Sequence, residues 1–272
     1  MKSTQHIILY FDVLGYSEVS LKADDNYLSS IYELLKSVTE RIHGHIKPHT
    51  TELIGYNTKA YNYTDNFCVV FEALDEIAIS HCTALAVFYA AQVQSFLAHG
   101  GVFCRGCIIK DNIVAYDNFL QGQGTVKAHF YEAQIAIYPR IIVEKELVDA
   151  LESIDRSHSF GKLDCEYTDI FASMFDFCFM DGDGHYIVDY LRYSNDLEKD
   201  NSILEYHKKY ILLILYSVEA KSRIFDKYIW ALMYHNTNCE FLGKDEYSID
   251  ISKIFIDLRI DEKYVLQTRA TK

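Results

Sequence analysis

Two carboxylates, Asp12 and Asp65, have the setting that best suits chemistry. Asp12 lies near the end of the apolar run His6 to Leu14 (HIILYFDVL), just before Gly15. Asp65 lies in Thr64-Asp65-Asn66, between two β-rich runs. An acid at the end of a buried strand and another at a hairpin tip can converge at one edge of a sheet when strand and hairpin are neighbours. Two carboxylates with open coordination positions are the usual protein contribution to a magnesium or manganese site, the rest coming from water and substrate phosphates. Two such ions can stabilise both the attacking and the leaving oxygen of an in-line displacement at phosphorus. Leu14-Gly15-Tyr16-Ser17 reads as the turn into a first helix, where free backbone N–H groups and the helix dipole favour a phosphate. Local spacing alone also allows Asp12 to cap a turn and Asp65 to complete a hairpin. The order of the surrounding elements favours the site.

Those elements follow from hydrophobic period and punctuation. The run His6 to Leu14 suits a central strand buried on both faces. Residues 24–42 have helical spacing, with Leu28, Ile31, Leu34, Leu35 and Val38 on one stripe behind an Asp cap. Runs 52–63 and 67–72 form a hairpin through Thr64-Asp65-Asn66. Residues 74–98 are a long helix stopped by Gly100-Gly101. Strands are expected at 102–109 and 113–116, turning at Asp111-Asn112, then a helix over 122–137 and a strand over 138–143. A short helix follows at 148–153. Strand candidates between 160 and 189 contain Asp181-Gly182-Asp183-Gly184, read as a hairpin turn because no Glu follows at EF-hand spacing. Residues 197–236 are mostly helical and 247–258 a terminal strand. The order β-α-β-β-α-β over residues 6–110 is ferredoxin-like, an α+β class with an antiparallel central sheet, flanking helices and a C-terminal helical elaboration.

Composition narrows the function classes. The chain has 272 residues, half of them hydrophobic, with two prolines and twelve glycines, which suits one sizeable core rather than disorder. No Gly/Ser/Pro linker divides it, so a single domain is expected. The net charge of −13 comes without a basic stripe, so long nucleic acid is not an expected partner. A small triphosphate carrying its own metal ions is compatible, provided local donors and cations offset the field of the protein. Seven cysteines at irregular spacing read as reduced thiols of a cytoplasmic protein. No signal peptide is expected from the N-terminal residues, and the apolar stretch Tyr210 to Val218 is too short to cross a bilayer. Cys104 and Cys107 spell C-x-x-C within a strand, where residues three apart face opposite ways. His43, His45 and His49 read as solvated loop residues. The aromatic helices from Leu197 to Tyr234, with Trp230, read as core or as a dimer interface.

The segment Phe11-Asp12-Val13-Leu14-Gly15-Tyr16 resembles the first metal-binding stretch of class III adenylate and guanylate cyclases, and Tyr63-Thr64-Asp65-Asn66-Phe67 resembles the second. Phe103-Cys104-Arg105-Gly106, Gly124 to Glu132, and Ala136 to Ile141 resemble the bacterial pyrimidine cyclases of the Pycsar antiphage system. The likeness covers roughly residues 5–145. It implies a cyclase core over 1–145, with 146–272 completing the same domain and the dimer interface. It also implies a homodimer with two sites across that interface. Asp12, Asp65 and the carbonyl of Val13 would hold two Mn2+ or Mg2+ ions, and Gly15, Tyr16 and Ser17 would meet phosphate. The ribose 3′-hydroxyl of a nucleoside triphosphate would attack its own α-phosphorus and expel pyrophosphate. The cyclic nucleotide would act through a separate effector during phage infection.

In that superfamily the position four before the second metal Asp reads the base, as Lys for adenine and Glu for guanine. Here it is Tyr61. Arg105 is a second candidate reader, since its fork can donate to pyrimidine O2 or O4 but offers no acceptor for the cytosine amino group. UTP is therefore the expected substrate, with CTP the alternative. The Asn and Arg usual on the helix after the glycine turn are replaced by Lys127 and Tyr131. Lys127 is the expected cation at the α-phosphate. A catalytically inactive nucleotide-binding module is the rival reading.

Overall fold

The computed structural model describes residues 2–15, 57–116, 119–153, 173–199 and 202–260, together with the helical positions 29, 32–34, 36–38 and 40. Tyr16, Ser17, His43, His45 and His49, and the candidate strand segments 52–56 and 160–172, lie outside the described residues. The architecture is α+β, a mixed and mostly antiparallel sheet flanked by helices. Its order is β2-β3-β1-β4-β6-β8-β7, with β5 paired to β4.

Strand β1 (Thr4–Val13) lies between β3 (Asn66–Glu72) and β4 (Cys104–Tyr116), antiparallel to both. β2 (Thr58–Tyr63) pairs outside β3, so the order β2-β3-β1-β4 is consistent with the ferredoxin-like arrangement. β6 (Ile141–Val143) joins β4 in parallel, and the hairpin of β7 (Cys178–Met180) and β8 (Tyr186–Val188) extends the sheet beyond it. Sheet and core thus both run across residue 145: Met174, Ile187, Leu191 and Ile203 belong to the same buried cluster as Ile7 and Leu9.

Side chains alternate across β1 with the period of a strand. Ile7, Leu9, Phe11 and Val13 pack on the face covered by helix α1 (Glu76–His99). Ile8 and Tyr10 pack on the other face, with Ala128 of helix α2 (Gln123–Phe130). Asp12 continues that second row. The pairing of β1 with β4 is tight at Gly106, where a Cβ would come 2.1 Å from the Tyr10 carbonyl oxygen. The Phe11 ring fills the space beside it and stacks on Phe67 at 4.9 Å. Helix α1 starts at Asp75, whose carboxylate accepts from the Ala78 N–H at 2.7 Å, and stops at Gly100-Gly101 as its sequence predicts. It is the one helix among the described residues long and apolar enough to cross a membrane, and most of that apolar stretch is buried inside the protein. Cys104 and Cys107 are buried in clusters on opposite faces, as strand geometry requires.

Several expected boundaries are corrected. β4 does not turn at Asp111-Asn112. Both residues stay paired to His6 and Gln5, and the chain reverses only between Tyr116 and Phe119. Tyr138 to Arg140 is a bend rather than strand, with the Arg140 N–H donating to the Tyr138 carbonyl at 2.7 Å around Pro139. The helix expected to reach residue 137 leaves α geometry after Phe130 and becomes a π turn over Tyr131–Ile135. Helix α3 (Lys145–Glu152) starts earlier than expected, and α4 (Tyr190–Tyr193) leads into a π turn. The helical region after residue 197 is two helices, α5 (Ser202–Ser217) and α6 (Arg223–Phe241), the second capped by the Ser222 hydroxyl. The expected terminal strand is instead helix α7 (Ile251–Asp257), because Asp250 caps it and Ile254 and Phe255 bury one helical face.

Helices α5 and α6 meet at a stacked pair of buried histidines. The Nδ1 atoms of His207 and His235 are 3.1 Å apart, Tyr190 Oη is 2.7 Å from His207 Nε2, and His235 Nε2 is 3.0 Å from the Tyr247 carbonyl. This chain is satisfied with both rings neutral. Burial pushes His207 well below its usual range, helped by the charge of His235. Burial also pushes His235 down to about 4, against the Tyr247 hydrogen bond and with the aid of Lys208. Both rings protonate more readily in the unfolded chain, so their contribution is complete above the unfolded value of about 6.5 and is lost as pH falls from there towards 4. His235 alone accounts for roughly 3 kcal/mol over that window. Urea midpoints measured in steps between about pH 7.5 and 4.5 should fall steeply below 6.5; a flat profile would contradict neutral burial.

Candidate active site

Asp65 is held by the turn that carries it. The β2–β3 hairpin reverses at Thr64-Asp65, with Thr64 in the left-handed region at φ 61°, an uncommon conformation for a β-branched residue. The Thr64 hydroxyl donates to the Asp65 carboxylate at 2.7 Å, and the Tyr10 hydroxyl donates to Asn66 Oδ1 at 2.6 Å. The end of β1 is fastened to the hairpin tip by the Val13 N–H, which donates to the Asp65 carbonyl at 3.2 Å. The Leu14 N–H donates to the Phe103 carbonyl at 2.8 Å and fastens it to the start of β4. The sheet therefore brings together the end of β1, the hairpin tip and the first residues of β4.

Asp12 pairs across the sheet with Asn66 on one side and Arg105 on the other. The Arg105 guanidinium is 3.6 Å from the Asp12 carboxylate and 2.5 Å from that of Glu132. Glu132 is carried by the π turn after α2 and has a side chain only 3% exposed. π turns occur frequently at functional sites, and this one lets an acid enter beneath the sheet end. Burial pushes the Asp12 carboxyl up to about 7, with the charges of Glu132 and Asp65 and a hydrogen bond to Asp65 adding to it, against Arg105. Burial likewise raises Glu132 against the pull of Arg105. The ionised form of Asp12 is thus opposed by burial and by two neighbouring carboxylates, with Arg105 as its counter-charge.

Among the described residues no three His, Cys, Asp or Glu side chains form a metal cage. A magnesium or manganese site that takes phosphate oxygens needs only one or two carboxylates from the protein. Asp12 and Asp65 fit that donor set. Val13, joined to Asp65 through its N–H, carries the carbonyl that the sequence resemblance implies as a further ligand.

The other expected site residues divide. Gly15 follows directly with φ 79°, and a Cβ there would meet open space, so its glycine serves the left-handed backbone. Arg105 is beside Asp12, with one terminal nitrogen 3.6 Å from that carboxylate and 2.5 Å from Glu132. Tyr61 faces the same side of the sheet, where it is 6% exposed and donates its hydroxyl to the Tyr116 carbonyl at 2.9 Å. Lys127 is not brought to Asp12. Its ammonium binds Glu144 at 2.6 Å and the Lys110 carbonyl at 3.3 Å. Lys110 pairs with Ile7, five residues along β1 from Asp12, a separation on the order of 17 Å. Burial alone would lower the Lys127 ammonium, but the bond to Glu144 prevails and raises it. The sequence reading did not assign Glu132, although it ends a segment of the resemblance and stands three residues after His129, whose Nδ1 lies 3.5 Å from it.

No protein-family model matches the chain, and no curated protein matches it.

Proposed function

We propose that the protein is a nucleotide cyclase that converts UTP to 3′,5′-cyclic UMP and pyrophosphate. The observation that carries this reading is the convergence of Asp12 and Asp65 at one end of the sheet, where the Val13 N–H ties the end of β1 to the Asp65 carbonyl at 3.2 Å. Asp12 and Asp65, with the Val13 carbonyl, would hold two Mn2+ or Mg2+ ions. When bound, these ions would supply charge neutralisation for phosphoryl transfer. The chain's own residues bind and orient. Gly15 opens the turn after β1 to phosphate, and Arg105 holds Asp12 and Glu132 in register. The ribose 3′-oxygen bonds to the α-phosphorus, the bond from that phosphorus to the pyrophosphate oxygen breaks, and the hydroxyl proton leaves to solvent.

The pyrimidine preference rests on Tyr61, which stands where purine cyclases carry Lys or Glu. Arg105, of whose fork a single terminal nitrogen meets Glu132 and stands 3.6 Å from Asp12, keeps donors that favour uracil over cytosine. Turnover of all four triphosphates with manganese, followed by product identification, tests the assignment. Preference for CTP makes the protein a cytidylate cyclase, preference for ATP sinks the pyrimidine reading, and nucleotide binding without turnover makes it an inactive module. The product is taken to act as a second messenger for a separate effector in antiphage defence.

The active form is taken to be a homodimer. Tyr63, Phe119, Val126 and Phe130 are exposed on elements that line or flank the Asp12 side of the sheet, and a second copy of the chain would cover them. Mixing inactive Asp65→Asn protein with inactive Tyr61→Ala protein should restore part of the activity if sites are shared. No recovery, with subunit exchange verified, counts against sharing.

A further inference from the structure

The cation expected at the phosphates, Lys127, is committed elsewhere, yet helix α6 carries a different lysine beside the residues that flank Asp12 and Arg105. Helix α6 packs its first two turns against the end of the sheet that carries the site. Phe225 and Tyr228 are buried there in a cluster with Phe103, against which Leu14 packs, and the Tyr228 ring meets that of Phe103 edge-on at 5.2 Å. Leu14 is two residues beyond Asp12 and Phe103 two before Arg105. Between Phe225 and Tyr228 on the same turn stands Lys227, half-buried. Its ammonium interacts electrostatically with Asp12, Glu132, Arg105 and Arg223, while among the described residues no carboxylate lies within ion-pairing distance of it. Burial and the nearby Arg105 push its pKa down. Arg223 precedes it by four residues, one turn along the same helix, and is exposed.

A half-buried ammonium is expensive to keep without a bonded anion. Of the two carboxylates that attract it, Asp12 is proposed to hold metal ions, and ions bound there would compete for that attraction. The positive charges of Lys227 and Arg223 would then face whatever anion accompanies the ions. The first turns of a helix also carry the positive end of its dipole.

We propose that Lys227, assisted by Arg223, is the polyphosphate-binding cation of the Asp12/Asp65 site, so that helix α6 completes a pocket begun by the ferredoxin-like strands. The assignment rests on the cyclase reading for its nucleotide, but not for the anion: any metal-bound di- or triphosphate meets the same charges. It gives residues 146–272 a part in the site besides packing.

The test uses the full chain, inorganic tripolyphosphate and Mn2+, measured by calorimetry, alongside turnover of UTP. Wild-type protein should bind tripolyphosphate with the metal. Lys227→Met keeps the stem and removes the charge, and should weaken binding by about tenfold or more, as expected for a charge-assisted hydrogen bond. Lys227→Arg should stay within a few-fold of wild type, and Arg223→Gln should have the smaller effect of an exposed charge. Thermal melts of each variant confirm folding. If folded Lys227→Met binds tripolyphosphate as tightly as wild type, the inference is overturned even when UTP is cyclised. Lys227-dependent binding of tripolyphosphate without turnover of any nucleotide sustains the anion site and removes the cyclase reading. Failure of wild type to bind tripolyphosphate overturns the inference outright.

Discussion

Asp12→Asn should reduce cyclisation by about a thousandfold while leaving the melting temperature unchanged or higher. Losing one metal ligand forfeits transition-state charge stabilisation of several kcal/mol, and each 1.4 kcal/mol is about tenfold in rate. The stability half of the expectation follows from the pocket. Burial, Glu132 and Asp65 all oppose the ionised form of Asp12, which is why its carboxyl is pushed up to about 7. An uncharged isostere relieves that opposition, as expected of a residue kept for function at the expense of stability. Asp65→Asn should behave alike, since Asn is at home in a tight turn. Steady-state turnover of UTP paired with thermal melts without metal makes the check. If either variant melts well below wild type yet keeps its activity, the two acids are turn and strand-end residues and the site is lost as a proposal.

Arg140→Met is expected to destabilise the protein by about 3–5 kcal/mol, the cost of stranding the partners of a buried ion pair. Arg140 is 1% exposed and its guanidinium binds Asp181 and Asp183, both from the β7–β8 hairpin. The Tyr138 and Trp230 rings stack on each other at 5.7 Å and flank the guanidinium at 5.1 and 5.8 Å. Trp230 Nε1 donates to Asp181 at 2.8 Å. Burial pushes Asp183 up, but its bonds to Arg140 prevail and hold the carboxyl below the usual range. The guanidinium therefore joins the bend before β6, the hairpin beyond it and helix α6. Urea unfolding of Arg140→Met, alone and with Asp183→Asn, makes the measurement. A loss below about 1 kcal/mol would show the cluster to be no stronger than a surface pair. Trp230 is three residues from Lys227, so loosening the cluster should also weaken tripolyphosphate binding.

The sequence reading of this cluster was half right. Asp181-Gly182-Asp183-Gly184 reads as a hairpin turn, and that is what forms, with Gly184 at φ 84°. Its acids carry no local sign of their partner, because Arg140 is 41 and 43 residues away and reaches them only when β8 pairs with β6. The terminal segment forms helix α7 rather than the expected strand for a related reason. Its β-branched residues favour strand locally, whereas the Asp250 cap and the burial of Ile254 and Phe255 favour helix once α6 is present.

By itself the sequence determined the strand of Asp12, the hairpin of Asp65, helix α1 with its glycine stop, and the β-α-β-β-α-β order, because hydrophobic period and turn residues are local signals. The placement of charge was decided only by the tertiary structure. Lys127 is drawn to Glu144, and Arg105 to Asp12 and Glu132, through pairings set by strand register and helix packing. Such pairings depend on distances of a few ångströms between residues far apart in the chain, and Coulomb energies at those distances are what distinguish a committed cation from an available one.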